Sequence, residues 1–247
     1  MTRRLVILST IAAGIVLSVG GDAATARGKV IIGSGKAKIE TRPVSGFSAV
    51  DVSGAGTVTI EVGNTESLTV TGDDNLLPLL ETKVRNGVLV IAARKGVYFE
   101  PKAPMLYKLR VKRLTAVTVS GAVTARGTVL PQVETLTVSA SGASSATFDS
   151  VSATALVVDA SGSSAVKLKS GMVEKQTVTL SGASRYDGFG LMSGATTVTA
   201  SGASNAEVSA KRVLIVKASG ASTVRYKGEP SVKTNEASGA ASVTKVR

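Results

Sequence analysis

Eight carboxylates are spread through the C-terminal half of the chain: Glu134, Asp149, Asp159, Glu174, Asp187, Glu207, Glu229 and Glu236. Breaking a glycosidic bond takes two converging carboxyl groups, often with Arg or Lys beside them. On the repeat described below, Asp159 and Glu236 share an outward position but lie several units apart, and Glu134 and Glu174 lie two units apart. The expectation is that no two carboxylates hold equivalent places in adjacent units, and that Arg185 pairs with Asp187 at the surface. There is no His and no Cys, which removes the commonest general base, the commonest metal ligand and any disulfide. No catalytic residue, cofactor site or metal site is assigned, and the chain reads as a non-enzyme.

Three further groups were candidates for chemistry. Asp73-Asp74-Asn75 suits either a cation or the cap of a short helical turn over Leu76–Leu80, which Pro78 would keep short. Gly33-Ser34-Gly35-Lys36 has phosphate-loop residues without the full spacing or a following helix. The Ser of a recurring Ser-Gly pair, with Thr177-Val178-Thr179 and Thr197-Val198-Thr199, suits a flat polar array for glycan or ice. The same serines suit a turn column whose hydroxyls bond backbone between units. Asp159, Lys217 and Glu236 interrupt the Thr face and disfavour an ice-binding plane.

These residues are positioned by a repeat. Ser-Gly stands at 120, 141, 161, 181, 201, 219 and 238, in steps of 21, 20, 20, 20, 18 and 19 residues. Three residues before each Ser lie Val117, Val138, Val158, Val178, Val198 and Val216, then Asn235. One residue before lie Val119, Ala140, Ala160, Leu180, Ala200, Ala218 and Ala237, with mostly polar residues between. Alternation with period two marks a half-buried strand, and a fixed period near 20 marks one strand-bearing unit stacked on itself. Val, Thr, Ser and Gly leave no room for a helix in the unit. The fold expected is all-β: a right-handed parallel β-helix, a solenoid of ~20-residue coils stacked about 4.8 Å apart, with an irregular β-rich N-terminal portion.

The chain divides accordingly. Residues 1–26 read as a secretory signal peptide: Arg3 and Arg4, an apolar stretch from Leu5 to Val19, and Ala24-Thr25-Ala26 as the cleavage site. An uncleaved anchor is the alternative, but the stretch is short of the ~20 residues that span a bilayer. Residues 27–41 read as a flexible lead-in, 42–112 as the irregular β portion and 113–247 as regular coils. Within the irregular portion Asn86-Gly87 predicts a hairpin turn, and Tyr98 to Tyr107, with Pro101 and Pro104, reads as a loop.

The run from Arg42 to Gly56 (RPVSGFSAVDVSGAG), then Thr57-Val58-Thr59-Ile60, Asp73-Asp74-Asn75-Leu76-Leu77-Pro78 and Asn86-Gly87-Val88-Leu89-Val90-Ile91, resembles bacterial head GIN domains, also called putative auto-transporter adhesins. The resemblance extends over roughly residues 33–247. It implies an exported, β-helical, non-catalytic protein, and brings no defined ligand and no binding residues.

Charge bounds the partners. The chain carries 29 Lys and Arg against 17 Asp and Glu, but only four Tyr, four Phe and no Trp. With no basic helix and no aromatic platform, nucleic acid is not expected. Scattered cations are usually a solvated face; contact with anionic envelope glycans or lipid headgroups is their functional alternative. The function expected is an exported adhesin or envelope-binding module for glycan or another envelope component, using one long face of the coil or the irregular 42–112 region. The rivals are a β-helical carbohydrate-active enzyme and an envelope regulatory component. The place expected is the periplasm, the outer surface or the medium, with no stable membrane span after cleavage. Open coil ends fit a homo-oligomer.

Overall fold

The computed structural model describes residues 28–247, so the expected signal peptide lies outside the described residues. β1 (Lys29–Ile32) and β2 (Ala37–Arg42) occupy the stretch expected as a flexible lead-in. They are followed by β3 (Ala49–Val62), β4 (Ser67–Asp73), a 3-10 turn over Leu77–Leu79, β5 (Leu80–Arg85) and β6 (Val88–Ala93). β7 (Val97–Glu100) and β8 (Leu106–Val111) complete this portion. The expected loop from Tyr98 to Tyr107 is thus shorter, running from Pro101 to Met105. Its first residues pair in parallel with β1, Val30 opposite Tyr98. The β5–β6 hairpin turns at Asn86 and Gly87, with φ of 50° and 75°. Both centres of a type I′ turn need positive φ, which is why Asn-Gly predicts it.

β2, β4 and β8 form an antiparallel run that ends in a parallel pairing of β8 with β3. Beyond β3 every pairing toward the C-terminus is parallel. The strands are β9 (Ala116–Ala140), β10 (Ser145–Ala160), β11 (Ala165–Leu168), β12 (Gly171–Leu180), β13 (Arg185–Ala200) and β14 (Asn205–Ala218). β15 (Thr223–Lys227), β16 (Ser231–Ala237) and β17 (Ser242–Lys245) finish the column. Together they make a β-solenoid of about six turns. Val138 sits on Val158, Val158 on Val178, Val178 on Val198 and Val198 on Val216, all buried. Burying each such Val contributes about 1.5–3 kcal/mol. The stacked ladders supply the rest, since ordering one coil's backbone costs more than its few apolar side chains return.

The solenoid starts earlier than residue 113. Ser53-Gly54 of β3 lies in register with Ser120-Gly121 of β9, and Val50 with Val117. A single apolar core runs from Phe47 to Val224 without a break at residue 112.

Glycine sets the corner. Gly142, Gly162, Gly182, Gly202, Gly220 and Gly239 all have φ between 71° and 74°. A Cβ on Gly162 would lie 2.8 Å from the Gly142 carbonyl oxygen. Only glycine meets both the left-handed backbone and the close stacking. At each corner the residue after Gly donates its N–H to the Gly oxygen one coil below, at 2.8 Å from Ala143 through Ala240.

Candidate functional site

The carboxylates expected to be dispersed are mostly held by neighbouring cations. Lys169 pairs with Asp149 at 2.7 Å, Lys217 with Glu236 at 3.4 Å, and Lys245 with Glu229. One expectation fails. Asp187 and Glu207 are register partners in adjacent coils of one outward column. Lys167 takes Asp187 at 2.6 Å and Arg225 takes Glu207 at 2.9 Å. The partner of Asp187 is therefore Lys167, one coil below it, rather than Arg185 on its own strand. A hydrogen bond to Asp187 in turn holds the Lys167 ammonium above its ordinary pKa. Two carboxylates each already tied to a cation on an open face form no acid–base pair. Burial holds the Asp51 carboxyl above its ordinary pKa, and its register partners are Val90 and Thr118.

Asp73 does not cap the helical turn, and its carboxylate is taken up by backbone amides. No side chain caps the 3-10 turn. The Asp73 carboxylate is buried and accepts the N–H groups of Gly35 at 2.6 Å and of Lys102 and Ala103 at 3.0 Å each. Burial alone would raise its pKa, but these amides outweigh that and hold it below the ordinary value. Ser34 donates its hydroxyl to Asp74 at 2.6 Å, and the Asn75 amide bridges Ser34 N–H and the Ile32 carbonyl. The glycine-rich loop at 33–36 therefore cradles an anion of the protein itself. A Cβ on Gly33 would lie 2.4 Å from Asp73 Oδ2, so glycine there permits the approach. Among the described residues no three His, Cys, Asp or Glu side chains are grouped to hold a metal.

Hydroxyl bonds between coils come mainly from a second serine, three residues after that of Ser-Gly. Ser144, Ser164, Ser184 and Ser222 point inward and donate to the carbonyls of Val119, Ala140, Ala160 and Ala200 at 3.0–3.3 Å. Among the first serines, Ser201 donates to Leu180 at 3.3 Å. Inside the middle coils Gln176 donates to the Tyr186 hydroxyl, and the Thr196 hydroxyl meets that of Ser193, which donates to the Ser209 carbonyl at 2.9 Å. All four side chains are buried, so this polar network serves packing.

A concave site lies where the ladder is interrupted. On its N-terminal side β3 pairs with β6 over Ala49–Val52 and with β8 over Thr57–Val62. Ser53 to Gly56 thus have no strand beyond them. In later coils the Ser and Ala N–H groups of this corner donate to the coil below, as Ser141 does to Val119 and Ala143 to Gly121. By the same geometry Ser53 N–H and Ala55 N–H face the gap. A Cβ built on Gly54 meets nothing within 4 Å, whereas one on Gly121 would strike Gly54 at 2.4 Å.

The gap is a cavity of about 500 Å3, walled by Leu80, Pro101, Met105, Tyr98, Phe99 and Tyr107, with Ser53 and Ser120 at the corner. Tyr107 donates its hydroxyl to the Ala55 carbonyl at 3.3 Å, and burial pushes its pKa up to about 12. Tyr98, among the lining residues, is 62% exposed. Three aromatic residues line it in a chain with only four Tyr and four Phe. The arrangement can stack a ring and donate hydrogen bonds from backbone. Sequence reasoning missed it because the gap is a property of pairing between distant strands.

A family model described as "Putative auto-transporter adhesin, head GIN domain" matches residues 46–230. No curated protein matches. A crystal structure of a putative adhesin from Bacteroides fragilis superposes with a TM-score of 0.81 at 18% identity, covering 87% of this chain and 100% of the other. A putative lipid binding protein from Parabacteroides distasonis gives 0.70 at 19% identity, over 89% and 100%. A putative adhesin from Parabacteroides merdae gives 0.67 at 20% identity, over 88% and 99%. At such identities the likeness establishes the fold.

Proposed function

The chain belongs to the head GIN domain family of putative auto-transporter adhesins, and on that premise we propose that it is an exported, non-catalytic, adhesin-like module that binds envelope glycan through the cavity at Ser53–Gly56. The observation that carries this reading is the pairing gap walled by aromatic rings. A sugar ring offers C–H groups to an aromatic face and hydroxyls to backbone donors and serines. Tyr98 supplies the face, Ser53 and Ala55 the donors. Pairing of most coil carboxylates with cations favours binding over hydrolysis. The basic excess suits an anionic envelope.

A second ligand class has an observation of its own. The cavity wall is largely apolar, which also suits an acyl chain. The test is a glycan array and a fluorescent fatty-acid titration run in parallel on the purified protein and on Tyr98→Ala. Glycan signals that fall about tenfold in the variant support the proposal. Fatty-acid binding without any glycan signal overturns it. Surface labelling of intact cells, with fractionation, tests export.

A further inference from the structure

Resting on the binding reading above, we propose that one outer face of the solenoid binds a linear acidic polysaccharide along the coil axis, with one anionic group per disaccharide. Register pairs define one continuous outward column: Lys108 beside Thr59, Thr59 beside Arg126, Arg126 beside Thr147 and Thr147 beside Lys167. Cation and hydroxyl alternate along it. Neighbouring rungs are about 4.8 Å apart, so successive cations stand about 10 Å apart. That is the scale of a disaccharide, so an acidic group on every second sugar meets a cation and the sugar between meets a threonine.

Lys108 and Arg126 are exposed, and among the described residues neither has a carboxylate partner. The acids beside the strip are neutralised: Arg110 pairs with Glu61 at 3.2 Å and Lys169 with Asp149 at 2.7 Å. The surface is also indented. Two hollows, of about 350 and 460 Å3, share Thr59 and adjoin along the column. Past Lys167 the column changes character. Asp187 and Glu207 follow and are closed off by Lys167 and Arg225. Lys167 is itself tied to Asp187, so the free cations of the strip are Lys108 and Arg126 and the footprint ends before Lys167. A single file of cations fits a chain polymer better than a lipid surface, which is met by a two-dimensional patch.

The experiment measures the affinity of the purified protein for size-defined hyaluronan oligosaccharides, whose disaccharide repeat bears one carboxylate. The same oligosaccharides with carboxyls reduced to alcohols, and anionic phospholipid vesicles, are the comparison arms. The acidic form binds at least about tenfold tighter than the reduced form, and the advantage shrinks as salt rises. The double variant K108S/R126S loses about tenfold for the acidic form alone, whereas K233S leaves it unchanged. Equal affinity for the acidic and reduced forms, an unaffected K108S/R126S protein, or tighter binding to vesicles than to oligosaccharide overturns the inference. Reduced-form binding that Tyr98→Ala abolishes then leaves the cavity reading standing. Failure of both sugars to bind overturns this inference, and a blank glycan array overturns the cavity reading as well.

Discussion

The two ends of the molecule solve opposite problems with the same strands. From residue 116 onward each coil is a near copy of its neighbour, and backbone N–H groups, inward Val and corner glycines find their partners one coil below. Residues 29–111 have no coil below them. There the chain turns back antiparallel through β2, β4 and β8, adds a hairpin and a 3-10 turn, and fixes a loop by the buried carboxylate of Asp73. Stacking by repetition leaves no interruption in the ladder at the corners of the coils. Closing an end with dissimilar strands leaves four residues without a strand on one side, and the cavity forms there. The regular coils are a scaffold and a long face, and the capped end is where a small ligand group can enter.

The largest effect tested by mutation should come from the repeat. Gly162→Val places a side chain against the Gly142 carbonyl at a φ of 72°. It should cost about 3 kcal/mol or more, roughly 10 °C in melting temperature. Hydrogen exchange should locate the loss in the coils on either side.

The next effect belongs to the capped end and depends on pH. The Asp73 carboxyl is held low by three amides. Glu66 is held low by the Gly46 N–H, with Phe47 N–H and Lys112 adding to it. Both bind protons more weakly folded than unfolded. Their stabilisation is therefore present above the unfolded carboxylate range near ~4, and is lost as pH falls through their lower folded values. Asp73→Asn should lower the melting temperature by about 5 °C at neutral pH. As pH falls below the unfolded carboxylate range the gap to the unaltered protein should narrow, and residues 29–111 should exchange before the coils do. Uniform opening along the chain in acid would break the comparison.

The smallest effect is Ser184→Ala. It removes one inward hydroxyl bond to the Ala160 carbonyl and should cost about 1 kcal/mol, read by denaturant unfolding. An effect as large as that of Gly162→Val would mean that hydroxyls, rather than corner glycines, hold the stack.

How far the sequence foretold this follows from where each constraint acts. Gly at a left-handed corner and Asn-Gly in a hairpin are local demands on the backbone, so they leave residues that can be counted. The inward serines were equally countable at Ser144, Ser164, Ser184 and Ser204, as was Asp187 against Glu207 at a step of 20. The start of the solenoid at Ser53-Gly54 was harder, because 67 residues separate it from Ser120-Gly121. The pairing of β1 with β7 and the fixing of residues 33–36 by Asp73 join segments far apart with no shared period. The cavity combines these distant pairings, so its aromatic residues look unrelated until the strands are placed.

The most direct test of the account is amide hydrogen exchange with and without the best glycan from the array. New protection is expected at Ser53–Gly56 and in the facing Tyr98–Tyr107 segment, with little change in the coils beyond Lys167. Protection confined to those distal coils, with Ser53–Gly56 exchanging as in the free protein, would contradict it.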